Sequence, residues 1–115
     1  MSISSDIKDK TASLKELVEL RLAARGGSVR AQYLLGIKLG TAENGPKEVA
    51  EAVKWYRKAA QQDFAPAQNN LGLLLAGKLL ERPQPEEAVK WFRRAAQQGM
   101  AAGQWNLARH LWLRS

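Results

Sequence analysis

The chain contains no cysteine. Disulfides, a thiolate metal site and a cysteine nucleophile are therefore excluded, and nothing in its chemistry depends on redox compartment. Histidine is nearly as scarce. His110 stands alone, with no companion at metal-ligand spacing, so neither a metal site nor a histidine base has the residues it needs. The expectation is no metal, no cofactor and no catalytic residue. Long apolar runs are missing too: the longest, Leu71 to Ala76, is far too short to span a bilayer. The opening MSISSDIKDK is polar and lacks the apolar core of a secretory signal. A cytoplasmic, bacterial setting with no membrane contact is expected.

What remains is ordinary for a single globular domain of 115 residues, 45% hydrophobic and 25% charged. The formal net charge is +7, and the excess grows toward the C-terminal end. Such a balance favours acidic partners but says nothing about fold.

The informative feature is internal. Residues 31–64 laid on 67–100, without a gap, give 15 identities in 34 positions. Ala31-Gln32, Leu35-Gly36 and Leu39 recur as Ala67-Gln68, Leu71-Gly72 and Leu75. Glu51-Ala52-Val53-Lys54-Trp55 recurs as Glu87-Ala88-Val89-Lys90-Trp91, and Ala59-Ala60-Gln61-Gln62 as Ala95-Ala96-Gln97-Gln98. A period of 36 residues marks a repeat architecture, in which each unit buries its apolar face by stacking on the next.

Apolar spacing gives two helices per period, and the pattern extends half a unit beyond each end. Six helices are predicted, at about 11–25, 28–41, 47–62, 65–78, 85–98 and 101–114. Ser13 and Glu16 suggest a capping box for the first, and residues 1–10 read as flexible. Prolines open later helices, with Glu48 and Glu51, and Glu86 and Glu87, suited to the positive end of the helix dipole. Gly27, Asp63 and Gly99 stand at equivalent left-handed C-caps. The domain then spans 11–115, as a half-repeat 11–27, repeats 28–63 and 64–99, and a half-repeat 100–115.

The run Ala31-Gln32-x-x-Leu35-Gly36-x-x-Leu39, then Ala52-x-x-Trp55-Tyr56-x-Lys58-Ala59-Ala60, then Ala65-x-Ala67-Gln68-x-x-Leu71-Gly72, resembles the Sel1-like repeat, a relative of the tetratricopeptide repeat. Two features depart from the family: leucine (Leu39, Leu75) replaces the usual tyrosine after the Leu-Gly pair, and the glycine-rich loop survives only as Asn44-Gly45-Pro46. The resemblance implies an all-α, right-handed α-solenoid that serves as a protein–protein interaction module or adaptor, not an enzyme. A small inhibitor or immunity protein that neutralises a toxic enzyme is a narrower alternative.

Candidate contact residues follow by analogy with tetratricopeptide grooves. Tyr33, Ile37, Asn69, Leu73, Trp105 and Arg109, on the first helix of each unit, are expected to line a concave partner-binding face. Trp55 and Trp91 read as core residues that pack one unit on the next. Lys54, Arg57 and Lys58, echoed by Lys90, Arg93 and Arg94, form a basic ridge on the convex side. Its plain reading is a solvated face; nucleic-acid binding is the second alternative, weakened because Tyr56 and Phe92 point inward. Finally Trp105, Leu111 and Trp112 crowd the last helix, and the expectation is a homodimer through 101–114, with a protein partner on the same face as the rival.

Overall fold

The computed structural model describes the backbone of residues 3–114 and the side chains of residues 14–113. Among the described residues there are six helices and no strand: α1 (Ile3–Arg25), α2 (Val29–Leu39), α3 (Pro46–Ala60), α4 (Ala65–Ala76), α5 (Pro85–Gln97) and α6 (Ala101–Arg114). Each packs on its neighbour in the chain, and α4 also touches α6. The result is an all-α solenoid in two layers, with first helices α2, α4 and α6 in one and second helices α1, α3 and α5 in the other.

Local chemistry sets the ends. Ser28 caps α2, its Oγ accepting from the amide of Ala31 at 3.1 Å, while Pro46 and Pro85 open α3 and α5. Gly27, Asp63 and Gly99 all adopt positive φ, at 100°, 63° and 85°. The amide that follows each one bonds back to Ala23, Ala59 or Ala95 respectively, the Schellman arrangement repeated three times. Asp63 holds the left-handed conformation without glycine's freedom, which makes its turn the costliest of the three.

The core is built from the repeated positions. Leu35, Leu71, Leu75, Ala52, Ala88, Ala59 and Ala95 are fully buried, and Leu39 fills the family's tyrosine position as a buried residue. Two contacts fix the approach of the layers. A Cβ on Gly36 would lie 2.5 Å from Cε1 of Tyr56, and one on Gly72 would lie 2.5 Å from Cε1 of Phe92. Glycine is therefore required where each aromatic ring presses against a first helix. At the equivalent place in α6 stands Ala108, so no ring of that size fits against α6 in the same way.

Two expectations need correcting. α1 starts at Ile3, not near residue 11, because polar residues 3–10 contain no proline or glycine; polarity argues against burial, not against helix. Ser13 therefore lies inside the helix and does not start it, and no capping box forms there; its side chain lies outside the described residues. The loop that lacks the family's glycines in the second unit is closed by backbone instead, the amide of Gln84 donating to the carbonyl of Leu75 at 2.7 Å. In the first unit the side chain does this work: Asn44 Nδ2 donates to the carbonyls of Lys38 and Leu39, at 2.8 and 3.1 Å.

Candidate functional site

Polar side chains repeat as faithfully as apolar ones, and they stitch unit to unit. Arg21 pairs with Glu51, and one period later Arg57 Nη2 donates to both oxygens of Glu87, at 2.7 and 3.0 Å. Glu51 also accepts from Nε1 of Trp55 at 3.0 Å, and the Arg21 hydrogen bond is the main reason its pKa lies below the usual carboxylate value. These carboxylates were expected to serve the helix dipole. Glu51 lies beyond the first turn of α3, whereas Glu48 in α3 and Glu86 and Glu87 in α5 do stand in first turns; Glu51 and Glu87 are both anchored to arginines of the preceding second helix.

Trp91 is buried as expected, with an indole N–H that has no partner. Trp55 packs against the core but is only half-buried, less than expected: on the α1 side it borders a groove lined by Arg21 and Arg25. Lys58 lies over the Trp55 ring at 5.5 Å and Arg94 over Trp91 at 5.1 Å. Arg94 also reaches Asp63 at 3.3 Å. The basic ridge is thus partly spent on rings and carboxylates, and its aromatic neighbours Tyr56 and Phe92 are buried. Burial pushes the Tyr56 hydroxyl up to about 12, so it stays neutral.

The six residues expected on the concave face divide. Ile37 and Leu73, one period apart on α2 and α4, are 41% and 42% exposed, and Trp105 and Arg109 are exposed on α6. Tyr33 is half-buried against Tyr56 and Phe64, with ring centroids 6.1 and 5.2 Å away. Asn69 is a correction: it is 5% exposed and its Oδ1 accepts from Asn106 Nδ2 at 2.8 Å, so it ties α4 to α6 and offers a partner nothing. The analogy failed there because adjacent first helices pack together at that position.

At the end of the stack Trp105 and Trp112 are 69% and 79% exposed, with Leu111 and Leu113 beside them. His110 packs against Phe92, with ring centroids 4.8 Å apart and planes tilted by 38°, and its Nδ1 lies 2.9 Å from the carbonyl of Asn106. Among the described residues no group of three His, Cys, Asp or Glu side chains could hold a metal, and no helix is long and apolar enough to cross a membrane.

Comparison with known proteins agrees with this geometry. The Sel1 repeat family matches residues 29–64 and 65–100. A solved structure of a protective antigen present in uropathogenic Escherichia coli strains, displaying an SLR fold, superposes with a TM-score of 0.74 at 33% sequence identity. The match covers 85% of this chain and 21% of the antigen, so the chain spans about a fifth of that protein's length. No curated protein matches the sequence.

Proposed function

Because the chain belongs to the Sel1 repeat family, whose units are non-catalytic protein-interaction modules, we propose that it binds a protein partner across the exposed face of its first helices. One observation carries this reading. Ile37 and Leu73 occupy equivalent positions on α2 and α4, and each leaves over two-fifths of its surface in water while the leucines two residues before them, Leu35 and Leu71, are fully buried. Repetition of an exposed large aliphatic residue gives a regularly spaced apolar track, with Trp105 and Arg109 continuing it on α6. Aromatic and arginine side chains are the usual energetic centres of protein interfaces. The test is capture of the partner by wild-type protein and by Lys90→Glu, a charge reversal on the opposite layer, with loss of the partner in Leu73→Glu. Retention by Leu73→Glu and loss in Lys90→Glu would transfer the site to the basic ridge.

A second reading rests on α6. Trp105, Trp112 and Leu111 are large apolar side chains exposed on one helix, which supports self-association through α6. Light scattering decides it: a dimer that Trp112→Glu splits supports the reading, and a monomer at high concentration ends it.

A further inference from the structure

The outer face of α3 carries two adjoining concavities, of about 570 and 530 Å³, which share Lys47, Ala50 and Lys54. One lies toward α1, where Arg25 and Lys58 join them; the other lies toward the α4–α5 loop, where Arg82 does. Seven cationic side chains line the pair against two carboxylates, Glu51 and Glu81. Two of the seven, Arg21 and Arg57, are neutralised by Glu51 and Glu87. The positive excess thus belongs to Arg25, Lys47, Lys54, Lys58 and Arg82, set against the one remaining carboxylate, Glu81. The α3 N-terminus adds to it, since Gly45 caps that helix without a side chain and Pro46 lines the groove.

The floor has a different character. Pro46, Ala50, Val53 and Leu80 give the loop-side concavity an apolar base beneath its cationic rim. We propose that this groove docks an acidic peptide segment of a protein partner, one that seats an apolar side chain on the floor and sets carboxylates against Lys47, Lys54 and Arg82. The proposal rests on the reading of the chain as a protein-interaction module, but places a second contact on the opposite helix layer from Ile37 and Leu73.

Nucleic acid fits the groove less well, for two reasons. Single strands are held by aromatic faces beside the cations, and the sole ring lining either concavity, Trp55, is bonded at its edge to Glu51 and covered by Lys58. A phosphate backbone would also need the cations to continue along the stack. They thin out: one period after Lys47 and Arg25 stand Pro83 and Gln61, Glu86 replaces Ala50, and Arg94, the counterpart of Lys58, is paired with Asp63, although Lys90 and Arg93 remain. The site is as long as α3, roughly 22 Å at the rise of an α-helix, which suits a short peptide. A second copy of the chain is a poor occupant, because its surface carries the same net positive charge.

The experiment uses the full chain and a fluorescent peptide of alternating leucine and glutamate or aspartate, read by anisotropy. Controls are the same peptide with leucine replaced by serine, the same with its acids replaced by their amides, and a single-stranded oligonucleotide of equal charge. The proposal expects the acidic-apolar peptide to bind best, and Lys54→Glu with Arg82→Glu to weaken it at least ~10-fold, as reversal of close charges does. These side chains are exposed, and circular dichroism confirms folding; Lys47→Gln with Lys54→Gln, which adds no new charge, should weaken it in the same direction. Leu73→Glu should leave peptide binding unchanged, so failure of the first-helix reading and failure of this one are distinct results. Absence of peptide binding, equal binding of the serine peptide, tighter binding of the oligonucleotide, or indifference to both groove variants each overturns the proposal.

Discussion

Gln98 donates from Nε2 to Oε1 of Gln68 at 2.9 Å, and Gln68, fully buried, passes its own Nε2 to the carbonyl of Ala60 at 3.0 Å. One period earlier Gln62 donates to Gln32, and Gln32 to the carbonyl of Ala24, at 3.0 and 3.1 Å. Each buried glutamine thus adds a second donor to a carbonyl near the end of one second helix, beside the turn amide of Gly27 or Asp63, and receives a bond from the end of the next. Gln68→Met keeps the volume but removes two hydrogen bonds: the Ala60 carbonyl keeps only the Asp63 amide, and Gln98 loses its acceptor. It should cost about 1–3 kcal/mol in urea denaturation, whereas the exposed Gln104→Met should change stability by less than about 0.5 kcal/mol.

The period, the helix pairs, the left-handed caps at Gly27, Asp63 and Gly99, and the buried leucines were all legible, because each follows from spacing along one chain segment. The inter-unit bonds were not. Arg57 and Glu87, or Gln98 and Gln68, lie 30 residues apart, and only the rotation of one unit on the next brings them together. A signal existed: Gln62 and Glu51 are polar yet unchanged in the second copy, which solvation alone does not require. Asn69 was misplaced for the opposite reason. It was assigned by its repeat position, but its side chain follows a neighbour, Asn106, that the first unit has no equivalent contact to reveal.

Acid should loosen the α1 end first. The Arg21 hydrogen bond holds the folded Glu51 pKa below the ordinary value of 4.5, with Trp55 adding to it against the opposing effect of burial. The unfolded chain therefore binds the proton more readily. The stabilisation from this carboxylate is present above pH ~4.5 and is lost as pH falls through the lowered folded value. Melting temperatures from pH 7 to pH 2.5 should fall less steeply for Glu51→Gln than for wild type. Parallel curves would show that the pair contributes nothing.

Leu71 and Leu73 test the face assignment without any partner. Leu73→Glu replaces a side chain that is already 42% exposed, so its effect on thermal stability should stay within about 0.5 kcal/mol. Leu71→Glu buries a carboxylate in a fully enclosed site, and should prevent folding. Similar melts for the two variants would mean that the apolar track on the first helices is misdrawn.

Trp91 separates packing from polarity. Trp91→Ala should cost roughly 3–5 kcal/mol, enough to unfold a domain of ordinary stability. Trp91→Phe retains most of the apolar surface and removes the indole N–H that has no acceptor. It should cost under about 1.5 kcal/mol, less than the same change at Trp55, whose N–H is bonded to Glu51. If Trp91→Phe is the more damaging of the two, its indole has an acceptor in solution.

Gly72 and Phe92 approach as closely as Gly36 and Tyr56 do, and a double-mutant cycle measures the contact. Gly72→Ala puts a methyl 2.5 Å from Cε1 and 2.7 Å from Cδ1 of the Phe92 ring, and the ring is fully buried and cannot swing away. Alanine is the better helix former, by about 1 kcal/mol, so propensity alone would make this change stabilising. The clash should win, giving a net loss of roughly 1–3 kcal/mol, the range for overpacked cores. Phe92→Leu alone opens a void and is also destabilising. Combined, leucine makes room for the new methyl, so the double variant should be more stable than the sum of the single losses predicts, by a coupling of about 0.5–3 kcal/mol. Additive losses would show that the helices already shift apart to admit a methyl, and that glycine at 36 and 72 is not what sets their spacing.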